Sequence, residues 1–185
     1  MGQDKALLPF RNATLAQHVA QQVSNAAQSV FLVGDPTIYG HLGFETIPDA
    51  APDRGPLSGM EAALGSQHAA EWNLIVACDM PRLQTALFEH LIHLASQAPP
   101  QIDCLVPRTN GRLQPLCALY RRRCAQPITR ALGQGTLRVV DMVAMLHSSI
   151  WDGADARQFA NVNTRPEWNA FLADSADDRR ISSLP

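Results

Sequence analysis

Lysine is almost missing from this chain. Lys5 is the only one among 15 basic residues, and the others are arginine. Charged residues make up 17%, against the ~25% of an average soluble domain. With 17 acidic groups the net charge is −2. That lack of basic excess excludes a nucleic-acid partner held chiefly by phosphate neutralisation. No apolar run approaches the ~18 residues a membrane span needs. The opening Met-Gly-Gln-Asp-Lys has no apolar stretch of the secretory-signal kind. The four cysteines, Cys78, Cys104, Cys117 and Cys124, show no C-x-x-C spacing and read as buried reduced thiols of a cytoplasmic protein. There is no G-x-x-x-x-G-K-S/T loop, no G-x-G-x-x-G and no G-x-S-x-G elbow, so the common phosphate loops and the hydrolase serine are excluded.

What is present is aliphatic. Hydrophobic residues make up 46% of 185 residues, enough to exclude a disordered chain. The length suits one domain with a sizeable core that needs no staples. Residues 1–173 are expected to form it, and the polar stretch 174–185 a flexible tail. Leu15, Val19 and Val23 form one stripe of a helix, with Thr14 and Gln17 spaced as a capping box. Short apolar runs at 29–33, 44–47, 74–78, 102–106 and 116–120 predict strands. Helical patterns at 57–67, 87–94, 124–133 and 167–173 alternate with them, and 137–146 fits either type. This alternation predicts an α/β layer structure with a mostly parallel sheet. Ligands of such sheets bind outside the carboxyl ends of the strands, which directs attention to Asp49, Asp79 and the corner Gly55-Pro56-Leu57.

Asp79 follows the apolar run Leu74–Cys78. A carboxylate at the mouth of a buried strand is costly without a partner, and Mg²⁺ is bound through one or two carboxylates plus substrate phosphates. The alternative is that Asp79 caps the next helix. Lys5, beside a turn glycine, could act as a point charge on a phosphate or be solvated. Arg54 to Met60 leads into a helix, whose free N–H groups favour an anion or a polar ligand edge. The alternative is a tight joint without ligand. Asn161 and Asn163 can donate and accept at once, or Asn163 or Thr164 can cap the last helix. His90 and His93 lack a third zinc ligand. Arg121-Arg122-Arg123 reads as a solvated edge.

These pieces occur in one order: Gly2-x-Asp4-Lys5-x-Leu7-Leu8, Pro48-Asp49, Gly55-Pro56-Leu57-x-Gly59, Cys78-Asp79-Met80-Pro81 and Asn161-Val162-Asn163-Thr164. Their order and spacing resemble the molybdenum cofactor guanylyltransferase family over nearly the whole chain. Gln114 to Tyr120 resembles the family's acceptor-side strand. The resemblance implies a Rossmann-like, three-layer nucleotidyltransferase fold. It also implies transfer of GMP from GTP to molybdenum-molybdopterin, with Mg²⁺ and release of pyrophosphate. By the same resemblance Lys5 contacts nucleotide phosphates, Asp49 contacts the nucleotide, and Asp79 binds Mg²⁺. Gly55, Pro56 and Leu57 lie beside the guanine, and Asn161 and Asn163 belong to the molybdenum-cofactor side. Lys5 and Asp79 are then the catalytic pair, and maturation proteins of molybdoenzymes are further candidate partners.

The family pattern opens with a strand and a glycine-rich loop directly before Met-Gly-x-Asp-Lys, and here Met1 stands at that methionine. The first strand is therefore expected to be missing and the natural protein is expected to start upstream; if Met1 is the true start, GTP turnover is expected to be weak or absent. Two other readings are a cytidylyltransferase acting on the same cofactor and a non-catalytic module that binds it.

Overall fold

The computed structural model describes residues 4–49, 51–136 and 138–181. Met1, Gly2, Leu137 and residues 182–185, on which some expectations above fall, lie outside that set. The described chain opens with a single 3-10 turn, Lys5–Leu7, capped by Asp4, whose carboxylate accepts the Ala6 N–H at 2.9 Å. A small hairpin of β1 (Pro9–Phe10) and β2 (Ala13–Thr14) leads into α1 (Leu15–Ala27). The capping box forms as the sequence suggests: Gln17 N–H donates to Thr14 Oγ1, and Thr14 N–H to Gln17 Oε1. The stripe Leu15, Val19 and Val23 is buried. β3 (Leu32–Val33) pairs in parallel with β4 (Thr46–Ile47), and the short α2 (Pro36–Tyr39) lies between them in sequence. α3 (Pro56–Gly65) follows and packs on α5 (Ala125–Gly133).

The other half is a five-stranded sheet. β5 (Trp72–Val76), β8 (Cys117–Arg121), β6 (Cys104–Thr109) and β7 (Arg112–Leu113) pair in that order, and β9 (Ser148–Trp151) adds to β6 in parallel. α4 (Thr85–Ser96) lies across this half with Leu87, Phe88 and Leu91 buried. The α/β nucleotidyltransferase architecture is present, but the sheet is mixed, not mostly parallel. The reason is local. Asn110 and Gly111 both take positive φ, 49° and 75°, which suits a primed hairpin turn. That turn folds β7 back on β6, and β8 then runs antiparallel to both β6 and β5. The region 137–146 resolves as α6 (Val139–Val143), and the last helix, α7 (Arg165–Ile181), extends into the stretch expected to be a loose tail.

Among the described residues no strand lies between β3 and β5. These two strands run the same way. Phe31 meets His68 at their amino-terminal ends, with ring centroids 5.6 Å apart, and Tyr39 and Cys78 meet at the other end around Ala6. Yet they belong to separate sheets. Glu71 O and Ala77 N bond towards β8. Because main-chain groups alternate along a strand, those of Trp72, Leu74 and Val76 turn the other way. On β3 the Leu32 and Gly34 N–H groups bond to β4, so Val33 turns away as well. Between the two edges lies an apolar cleft of about 680 Å³ that both strands line.

Candidate functional site

β3, β4 and β5 are parallel, so the residues that follow them collect at one end of the fold. Asp79 comes three residues after β5. Its main-chain carbonyl accepts the Val162 N–H at 2.8 Å, which draws the segment 161–163 against it. Asn163 in turn accepts from Lys5: Nζ donates to Oδ1 at 2.8 Å across 158 residues of sequence. Lys5, Asp79 and Asn163 thus converge from three distant stretches.

The Asp79 side chain is half-buried, and its Oδ1 has no hydrogen-bond partner. Burial raises its carboxyl above the ordinary value, while the charge of Lys5 pulls it back. The helix-cap alternative fails, because α4 starts at Thr85 with Gln84 at its N-cap. A buried carboxylate oxygen without a donor is costly unless something completes it. Among the described residues no cluster of three or more His, Cys, Asp or Glu forms a ready-made cation cage. The arrangement fits Mg²⁺, which is content with one carboxylate when substrate phosphates and water fill its other positions. Beside it, burial first and then the Asp79 and Asp4 charges push the Cys78 thiol up to about 11, so it is protonated at neutral pH.

Asp79 and Asn161 share a second cavity, of about 270 Å³, with Gln114, Pro115 and Val140. Gln114 donates to Thr109 Oγ1 at 2.7 Å, which leaves its carbonyl oxygen available. The sequence marked this segment only through the family resemblance, and no local pattern pointed to Gln114 itself.

The other expected residues sit across the large cleft. Asp49 is half-buried; it accepts the Ser58 hydroxyl and, at 3.0 Å, the Ala51 N–H. It therefore clasps the loop that opens α3. Gly55, at φ 74° and ψ −169°, is the N-cap of α3 and takes a conformation that a side chain would strain. Gly55 and Pro56 are exposed, whereas the Leu57 side chain is fully buried in the core. Only the main chain of Leu57 could meet a ligand. Pro56 and Gly59 line the large cleft together with Ala6 and Cys78, so the cleft reaches both residue groups.

Thr164 caps α7. Glu167 N–H donates to Thr164 Oγ1 at 3.3 Å, and Thr164 N–H to Glu167 Oε2 at 2.9 Å. This box frees the Asn163 side chain for Lys5. The arginine run is exposed at Arg122 and Arg123, as expected of a solvated edge, but all three side chains have partners. Arg121 lies over the Trp72 ring at 4.3 Å, Arg122 donates to Ser66 O, and Arg123 binds Asp103. His90 stacks on Trp151 at 4.7 Å. All four cysteines are free thiols. Among the described residues no helix is long and apolar enough to cross a membrane.

Asp79 and Lys5 stand together at the carboxyl end of an α/β sheet, and Asp79 opens onto the smaller cavity, an arrangement that suits a nucleotidyltransferase. The MobA-like NTP transferase domain family matches residues 1–147, and the chain belongs to that family. A probable molybdenum cofactor guanylyltransferase of Pelotomaculum thermopropionicum is 31% identical over 163 residues, covering 88% of this chain and 77% of the relative. One of Flavobacterium johnsoniae is 28% identical over 171 residues, covering 91% and 88%. Among solved structures, the molybdopterin-guanine dinucleotide biosynthesis protein A of Archaeoglobus fulgidus superposes with a TM-score of 0.80. It is 22% identical and covers 95% of this chain and 92% of that one.

Proposed function

We propose that the protein transfers GMP from GTP to the terminal phosphate of molybdenum-molybdopterin, releasing pyrophosphate and forming the molybdopterin guanine dinucleotide. The observation that carries this reading is the convergence of Lys5, Asn163 and the unpartnered Asp79 carboxylate, with Asp79 opening onto the smaller cavity beside Asn161. Its family membership supports it.

Attack of one phosphate on another must overcome repulsion between anions, so positioning and charge neutralisation make up most of the catalysis. The Lys5 ammonium, already oriented by Asn163, can bind the triphosphate as a point charge. The Asp79 carboxylate would hold Mg²⁺, which would neutralise phosphate charge. Gly55, Pro56 and the main chain of Leu57 border the nucleotide, and Asp49 holds that border closed. Asn161 and Asn163 face the acceptor, with Asn163 tying the acceptor side to Lys5. No protein nucleophile is required. A cytoplasmic setting accords with the four unpaired thiols.

The test is Asp79→Asn, which keeps the shape and removes the charge. Mg²⁺-dependent pyrophosphate release from GTP in the presence of molybdopterin should fall by about 100-fold or more. The melting temperature should hold or rise, because a buried charge without a partner has been removed. Unchanged turnover would overturn the assignment, and competition by CTP equal to that by GTP would overturn the guanine preference.

A further inference from the structure

One contact near the site is used by none of the roles above. The Tyr39 hydroxyl donates to Asp4 Oδ2 at 2.5 Å, across 35 residues of sequence. The other oxygen of the same carboxylate, Oδ1, caps the 3-10 turn through the Ala6 N–H at 2.9 Å. That turn carries Lys5, whose Nζ reaches Asn163 at 2.8 Å.

Tyr39 is itself held from two sides. It ends α2, whose start is fixed by Asp35 accepting the Thr37 N–H at 2.8 Å. Its ring lies on Gly34 so closely that a Cβ there would stand 2.6 Å from a ring carbon. On its other side it packs in the cluster of Ala6, Leu7, Leu32 and Cys78. Burial above all, and then the Asp4 carboxylate, keep the phenol above its ordinary pKa, so it remains a donor at any working pH.

We propose that Tyr39, seated on Gly34, is a positioning residue for the Lys5 ammonium: its hydroxyl orients Asp4, and Asp4 fixes the turn that aims Lys5. The inference rests on the nucleotide reading of Lys5 for its consequence, but not for its geometry. A lysine stem has four rotatable bonds and loses much side-chain entropy when ordered. A turn fixed at both oxygens of its capping carboxylate removes part of that cost before the triphosphate arrives, which is preorganisation.

Lys5 is the only lysine, which makes the test clean. Reductive ¹³C-dimethylation of the full chain reports one lysine signal besides the amino terminus. Amine acylation followed by mass spectrometry reports how freely Lys5 moves. In Tyr39→Phe, acylation of Lys5 should speed up severalfold and its ¹³C signal should sharpen and move. Gly34→Ala, which pushes the ring away without removing the hydroxyl, should do the same. Titration calorimetry with GTP and Mg²⁺ should show roughly tenfold weaker binding for Tyr39→Phe, the size expected for loss of one charge-assisted hydrogen bond. In a Lys5→Ala background, Tyr39→Phe should change GTP affinity no further, because the tyrosine acts through the lysine.

Unchanged Lys5 acylation in both Tyr39→Phe and Gly34→Ala would overturn the proposal. So would an additive loss of GTP affinity in the double variant. If Lys5→Ala leaves GTP binding intact, the nucleotide reading of Lys5 fails instead, and the acylation result still decides whether Tyr39 holds the turn.

Discussion

Two halves of the same molecule treat similar strands in different ways. In the five-stranded sheet, β6 and β8 have neighbours on both edges, and Cys104, Val106, Ala118 and Tyr120 are completely buried. β3 and β5 are equally apolar, yet every residue in them is only half-buried. Composition does not separate them. What separates them is whether the far edge has a partner. An apolar strand is buried by its neighbours as much as by its own side chains, and its main-chain groups need partners there too. The proposed site lies at the seam, with Asp79 contributed by the segment after β5 and Asp49 by the loop after β4.

The comparison predicts an unequal response to the same kind of truncation. Ile128→Ala, in the fully buried cluster of α5 against the five-stranded sheet, should cost about 2–5 kcal/mol. Leu32→Ala, on half-buried β3 beside the cleft, should cost about 1 kcal/mol or less, since its side chain already lacks neighbours on one side. Urea unfolding of both variants reads this out directly. Equal losses would mean that the cleft wall is as well packed as the core, and the contrast between the halves would be lost.

A second prediction tries to make the halves alike. A five-residue apolar segment, joined through a short glycine linker ahead of Asp4, would run into the cleft parallel to β3 and β5. Burying five such side chains contributes about 1.5–3 kcal/mol each, offset by about 1–2 kcal/mol of backbone entropy per residue. A net gain of about 2 kcal/mol should raise the melting temperature by ~4–8 °C. A version with proline at its centre should not, because it cannot supply the ladder hydrogen bond. Equal melting of the two versions would show that the cleft does not accept a strand.

The parts of the fold readable from sequence were those set by local chemistry. The stripe of α1, its Thr14–Gln17 box and the strand leading to Asp79 all needed only neighbouring residues. The Asn110-Gly111 turn is equally local, but a two-residue signal does not show in the alternation of strands and helices, and the antiparallel course of β8 depends on it. β9 lacks a pattern of its own: Ser148 and Ser149 become a strand because β6 offers an edge. The polar tail reads as loose, yet α7 continues through it to Ile181, opened by the Thr164–Glu167 box. In the site, Asp79 and Lys5 stood out from their own surroundings and, with Asn163, gained roles through the family resemblance; the structure brings the three together. Leu57 could not be recognised as a core side chain, since its motif gives no depth. Tyr39 was invisible because its partner lies 35 residues away and no repeating pattern links them.

The smallest effect concerns the far end of the five-stranded sheet, where Asp103 joins β6 to β9. Its carboxylate accepts Arg123 Nε at 2.7 Å and the His147 main-chain N–H at 3.0 Å, and lies 3.2 Å from His147 Nδ1. Burial works against its ionisation, but these donors and the Arg123 charge outweigh it, so the carboxyl sits below its ordinary value. An acid whose folded pKa is depressed contributes stability above its unfolded pKa, near ~3.9, and loses it as pH falls through the folded value. Asp103→Asn should therefore cost up to about 1 kcal/mol at pH 7, because the Arg123 partner is half-exposed and solvent screens the pair. The gap from the parent should narrow as pH falls below 4, because the parent then carries a neutral group as well. Urea midpoints for both proteins at pH 7 and pH 3 measure it. A gap that stays constant with pH would mean that the site is held by shape alone, and that charge plays no part in locking the well-paired half.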